Sequence, residues 1–143
     1  MKMGGWDVIS QDALRYLQLF ESVTNVRSKE MLEEEDTVVF LVDKGNLGQA
    51  IGKGAHRLKK LGELLNKKVK IVEFDEEEQF IRNLFKPFPL TSLDVRDETG
   101  GRVAYVSVEP KDKGKAIGEK GRNLHIIKKL VKKYYNIENV LVV

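Results

Sequence analysis

The sequence predicts an α/β chain of the α+β kind: two small successive units, each a three-stranded mixed sheet packed against helices. Three observations carry this. The chain matches itself at a spacing of about 66 residues. Each copy reads helix, strand, strand, helix, helix, strand. Each copy also joins its two consecutive helices through a short glycine-containing loop.

The repeat is clearest at the loops. Leu47-Gly48-Gln49-Ala50-Ile51-Gly52-Lys53-Gly54 falls on Lys113-Gly114-Lys115-Ala116-Ile117-Gly118-Glu119-Lys120. Val42 meets Val108, Leu58 meets Leu124 and Leu64 meets Leu130 without a gap.

In the first copy, Ser10 is a good N-cap for a helix in which Leu14, Leu17 and Phe20 recur at helical spacing, widened by Leu19 and Val23. Val26 to Met31 reads as a weakly marked strand. Thr37 to Val42 is β-branched and apolar, hence a buried strand. Leu47 to Ile51 is a short helical turn ending at Gly52. Ala55 to Leu65 places Leu58, Leu61, Leu64 and Leu65 on one face, and Val69 to Phe74 closes the sheet.

In the second copy, Phe80, Ile81, Leu84 and Phe85 mark a helix that Pro87 and Pro89 stop from continuing. Thr91 to Val95 and Arg102 to Val108 are strands joined by the turn residues Asp97 to Gly101. Lys113 to Ile117 is the short helix. Arg122 to Tyr134 is the long one, with Leu124, Ile127 and Val131 inward and Leu130 beside them. Val140 to Val143 is the last strand. The expected domains are therefore 1–75 and 76–143. Each is small for a self-sufficient core, so the halves are expected to pack on each other.

Composition bounds the function. The 143 residues include no cysteine, which excludes disulfides and thiol chemistry. No apolar run approaches a membrane span, and the start lacks the apolar stretch of a signal peptide, so a cytoplasmic protein is expected. His56 and His125 read as surface helix residues, and no metal or cofactor is expected. Trp6 is expected to pack on the first helix, and Tyr134 and Tyr135 at the end of the last. Net charge is only +3, but its distribution is uneven. Basic residues gather at Lys44 to Lys70 and again at Lys111 to Lys133, at matching places in the repeat. Solvated faces account for any one such run. Two in register point to a polyanion.

The loops are Ile51-Gly52-Lys53-Gly54-Ala55 and Ile117-Gly118-Glu119-Lys120-Gly121. Glycine lets a ligand backbone approach without meeting a Cβ. A helix opens directly after each loop, and its N–H groups and dipole attract phosphate. Lys53, Arg57, Lys120 and Arg122 add charge, while Ile51 and Ile117 are either an apolar floor for bases or ordinary core. A tight helix–helix turn is the competing explanation of the glycines. A P-loop fails on spacing, because three residues separate Gly48 from Gly52 and Gly54 follows Lys53. A dinucleotide fingerprint fails at Arg57. No nucleophile–base pair or metal cluster is visible, so an enzyme is not expected.

Helix, Gly-loop and helix beside three strands resemble the KH domain, whose Gly-x-x-Gly loop clamps nucleic acid. The strand–strand order ahead of the loop resembles the type II form. Two such repeats almost without a linker, together with Gln79-Phe80-Ile81-Arg82-Asn83-Leu84-Phe85-Lys86-Pro87 between them, are similar to the NusA family in its short archaeal form. The resemblance implies two tandem type II KH domains and an RNA-binding factor in transcription elongation, termination or antitermination. It implies single-stranded RNA as partner, a nascent transcript or an rRNA leader, with RNA polymerase as a further partner. The polymerase-binding and OB-fold domains of bacterial relatives are expected to be missing. Ala55 stands where the family has glycine, and Glu119 would repel a nearby phosphate. A KH protein of ribosome assembly or of the ribosome, or an adaptor that no longer binds RNA, are the alternatives. Aspartate at Gly118 and Gly121 is expected to spare the fold and remove RNA binding. Ala55→Gly should strengthen the first loop's binding or leave it unchanged.

Overall fold

The structure is a computed structural model, and it describes residues 11–143. The N-cap expected at Ser10 and the packing expected of Trp6 lie outside the described residues. The chain divides into two compact units, Met1–Asp75 and Glu76–Val143. Each carries a three-stranded mixed sheet with helices, so the α+β expectation holds. No helix among the described residues is long and apolar enough to cross a membrane.

The first unit runs α1 (Gln11–Thr24), β1 (Glu30–Glu34), β2 (Thr37–Val42), α2 (Leu47–Ile51), α3 (His56–Leu65) and β3 (Lys68–Glu73). β2 lies in the middle, antiparallel to β1 and parallel to β3. Its residues Val38 to Val42 are all buried, as β-branched and aromatic side chains on a central strand should be. Phe20 of α1 stacks on Phe40 with ring centroids 4.4 Å apart. Val26, Val38, Val42, Ala50, Leu61 and Ile71 complete that core, and Leu47, Ile51 and Leu58 pack against it.

Three expectations shift. The strand read at Val26 to Met31 begins only at Glu30. Asn25 takes a left-handed conformation with φ 58° and donates its N–H to Glu21 O, which ends α1. The buried Thr24 hydroxyl donates to Phe20 O (2.7 Å) and accepts the Val26 N–H (3.0 Å), so the backbone of this stretch is satisfied locally rather than by a ladder. Leu64 is 53% exposed, and the α3 stripe is Leu58, Leu61 and Leu65. Leu14 is exposed as well.

The second unit runs α4 (Glu77–Phe85), β4 (Leu90–Glu98), β5 (Gly101–Val108), α5 (Lys113–Ile117), α6 (Arg122–Tyr135) and β6 (Ile137–Val142). β5 is central, antiparallel to β4 and parallel to β6. The β4–β5 hairpin is longer than expected: Asp97, Glu98 and Gly101 belong to the strands, and the turn narrows to Thr99-Gly100. β6 starts three residues before Val140, because Asn136 with φ 54° ends α6 and turns the chain at once into the sheet. Ile126, Ile127, Leu130 and Val131 form the buried stripe of α6, and Leu124 is only half-buried. α4 stops at Phe85, since the residue before Pro87 is confined to extended angles. The Phe80 ring meets Tyr134 edge-on at 6.1 Å and Tyr135 at 5.8 Å, so the tyrosine pair does pack the end of the last helix.

The register of the repeat holds at 66 residues through the loops. It then grows to 70 at the helix ends, where Asn66 and Asn136 are the matching left-handed caps. α6 is one turn longer than α3, and nothing else in the helix–loop–helix differs in length.

Candidate nucleic-acid interface

Both loops follow one backbone course. Gly52 (φ 80°, ψ 166°) corresponds to Gly118 (87°, 163°), Gly54 (62°, 21°) to Lys120 (56°, 24°), and Ala55 (60°, 27°) to Gly121 (74°, 15°). No angle in these pairs differs by more than 14°. The loop therefore requires one residue in a region open only to glycine, then two consecutive left-handed residues before the helix. The sequence meets the requirement differently each time. Ala55 is the non-glycine left-handed residue of the first loop, and Lys120 that of the second.

The glycines divide by role. A Cβ on Gly118 would lie 2.8 Å from the backbone N of Asn123, and one on Gly52 would lie 2.7 Å from the His56 ring. By contrast, a Cβ on Gly54 or on Gly121 would meet nothing within 4 Å. The first glycine of each loop is thus packed against its helix, while the later positions face open space. Aspartate at Gly121 is compatible with the fold; aspartate at Gly118 is not, which corrects the expectation that both would be spared.

Hydrogen bonding narrows the donors available to a phosphate. The Ala55 N–H is spent on Gly52 O and the Gly121 N–H on Gly118 O, both at 3.0 Å. His56 N–H and Arg122 N–H close the same turns onto Lys53 O and Glu119 O. Among the described residues this leaves the amides of Lys53, Gly54, Glu119 and Lys120 as the donors each loop can offer.

The predicted charges separate. Lys53, Glu119 and Lys120 are exposed. Arg57 is committed, because its guanidinium donates to Gln49 O at 2.5 Å and ties α3 back to α2. In the repeat register Arg57 corresponds to Asn123, whose amide donates to Ala116 O at 2.7 Å. Both side chains cross from the start of the second helix to the last carbonyls of the first, and so fix the bend that holds the loop. Asn123 is not singled out by the sequence pattern, although it is a polar residue in register with Arg57. Arg122 opens α6, half-buried. Ile51 is half-buried against the first core, and Ile117 is half-buried at the same place in the second unit. His56 and His125 are exposed, and His56 Nδ1 lies 2.8 Å from Lys53 O.

Several lysines of the first basic stretch are occupied elsewhere. Lys44 pairs with Asp75 at 3.3 Å. Lys67 pairs with Glu33 at 2.7 Å, and that hydrogen bond raises its pKa. Lys70 on β3 is held down to about 8 by burial.

Ala55 gives a direct check on the loop's conformational demand. Its left-handed angles cost an L-residue about 1–2 kcal/mol, and the greater freedom of glycine in the unfolded chain returns part of that. Ala55→Gly should stabilise the chain by roughly 0.5–1 kcal/mol in urea unfolding. A loss of stability would mean that the first loop does not hold these angles.

Residues 77–140 match the family model described as the NusA-like second KH domain. The probable transcription termination protein NusA of Methanocaldococcus jannaschii is 32% identical over 136 residues, covering 94% of this chain and 74% of the relative. The protein of the same name from Halococcus morrhuae is 32% identical over 133 residues, covering 92% of this chain and 95% of its own length. The Thermoplasma acidophilum protein is 24% identical over 135 residues, covering 94% of each. The crystal structure of APE1850 matches with a TM-score of 0.73 and 33% identity, over 94% of this chain and all of that one. With 32% identity sustained over 92% of this chain and 95% of the Halococcus morrhuae protein, this chain belongs to the NusA family of archaeal proteins.

Proposed function

We propose that the chain is a pair of tandem type II KH domains, 1–75 and 76–143, that hold single-stranded RNA by its phosphates and serve transcription. Nascent transcripts or rRNA leaders are the ligand class. Termination is the role for which the relatives are named, with elongation and antitermination as neighbouring ones and RNA polymerase as a protein partner. The reading places the protein in the cytoplasm. It is a binding function, and no reaction is assigned to it.

One observation carries the proposal: the same strained backbone cradle is built twice from different residues. A mere helix–helix turn has no need of it. Lys120 bears a left-handed strain that glycine avoids at the equivalent Gly54, and it brings an exposed lysine into the loop itself. Glu119 beside it favours the adaptor reading, in which RNA binding has been lost. Filter binding decides between them. Gly54→Asp with Gly121→Asp puts a carboxylate over each set of loop amides, at positions where a Cβ is unobstructed. The double variant should stay folded, losing no more than about 2 kcal/mol of unfolding free energy at roughly 1 for each left-handed position, and should lose at least tenfold in affinity for an unstructured oligoribonucleotide. The magnitude of its salt slope should fall by about 0.7 for each phosphate the protein no longer neutralises. Unchanged affinity and slope would defeat the proposal in favour of the adaptor.

A further inference from the structure

The two units share a backbone but not a charge. Residues 1–75 contain twelve basic and twelve acidic residues, and 76–143 contain thirteen and ten. The difference is concentrated around one short helix. In the 66-residue register, Gly45, Leu47, Gln49 and Gly54 are replaced by Lys111, Lys113, Lys115 and Lys120. All four lysines are exposed. None of them makes an ion pair or side-chain hydrogen bond among the described residues, whereas Lys44 and Lys67 of the first unit are held by Asp75 and Glu33.

The segment sorts its charges by face. Lys111 and Lys115 stand four residues apart, one turn along the same side. Asp112 stands one turn from Ala116, which is fully buried, and the carboxylate-bearing residue is itself half-buried. Asp112 thus leans toward the core, Lys111 and Lys115 share a solvent side, and Lys113, two residues from each, is exposed beside that row. That row runs directly into the second loop, since α5 ends at Ile117 and the cradle begins at Gly118.

We infer that the turn before α5, together with α5 itself, forms a phosphate track that extends the second unit's hold on RNA beyond the nucleotides its loop clamps. The inference rests on the RNA-binding reading above and adds a division of labour to it. The second unit is the salt-sensitive, length-dependent half, and the first holds only what its loop reaches.

The test uses the full chain, with unstructured oligoribonucleotides of about four nucleotides, the length a KH loop clamps, and about twelve. Lys111, Lys113 and Lys115 are changed together to Gln. The expected result is a selective loss: affinity for the longer RNA falls at least tenfold, and its salt slope shrinks by about 2, three phosphates at roughly 0.7 each. Affinity for the short RNA should stay within about twofold, because the loop amides are untouched. Equal losses on both lengths would assign the lysines to the loop's own clamp and overturn the track. So would unchanged binding of the longer RNA. If the unaltered chain bound neither RNA, the RNA-binding reading itself would fall, and the track with it.

Discussion

Gly118→Ala is expected to destabilise the protein by about 3–5 kcal/mol, while Gly121→Ala, three residues on, costs no more than about 1. Both glycines have positive φ, so a rule based on φ alone would rank them together. Two facts separate them. Gly118 has φ 87° and ψ 163°, a region open essentially to glycine, whereas Gly121 at 74° and 15° is left-handed helical, which other residues tolerate. A Cβ at Gly118 would also press within 2.8 Å of the Asn123 backbone N, and that wall is the opening of α6. The wall cannot move without displacing Asn123, whose amide bonds Ala116 O across the loop. At Gly121 the Cβ meets nothing, and the first loop already carries alanine at the equivalent position. Gly52→Ala should fall between them, because the atoms that meet its Cβ are chiefly those of the His56 ring, a side chain that can turn away. Urea midpoints of the three variants check the ranking. Equal destabilisation by Gly118→Ala and Gly121→Ala would show that packing against α6 plays no part.

Much of this architecture is legible in the sequence because it depends on short-range pattern. The repeat, the two short helices Leu47–Ile51 and Lys113–Ile117, and the position of both loops follow from glycines and apolar residues at fixed offsets. The features that are not legible depend on a single residue's local bonding. The late start of β1 comes from the Thr24 hydroxyl and the left-handed Asn25, and threonine and asparagine alone do not say that they will end a helix in that way. The early start of β6 comes from Asn136, and Ile137-Glu138-Asn139 carries little β-propensity to announce it. Leu64 fits the helical pattern as well as Leu61 does, yet the apolar stripe is narrower than the pattern allows. In the site, Arg57 illustrates the limit best. A guanidinium at a helix start serves equally well to bind phosphate or to tie down a carbonyl, and only the 2.5 Å contact with Gln49 O decides. The repeat holds a clue, since the neutral Asn123 stands in the same register and makes a similar bond to a carbonyl of its own short helix, one residue farther along.

Phe20→Ala is expected to be the most damaging core truncation in the first unit, at about 3–5 kcal/mol. Phe20 is fully buried and stacks on Phe40 of the central strand. Its removal sacrifices the ring pair as well as the transfer term and leaves a cavity that two secondary-structure elements would have to close. The consequence reaches the loop by packing. α2 rests on this same core through Leu47, Ala50 and Ile51, and Gln49 of α2 lies 3.4 Å from Thr24 O and 3.3 Å from Asn25 O at the end of α1. A loosened α1 therefore removes both the floor beneath α2 and the polar tie beside it, and the Gly52–Ala55 cradle depends on where α2 ends. Units of this size retain little stability to spare, so a loss of several kcal/mol should surface as local opening before global unfolding. Hydrogen exchange reads it directly: amides of α1, α2 and the Lys53–Ala55 turn should lose protection together in Phe20→Ala. Loss confined to α1, with α2 and the turn still protected, would show that the loop is held by Arg57 and α3 alone.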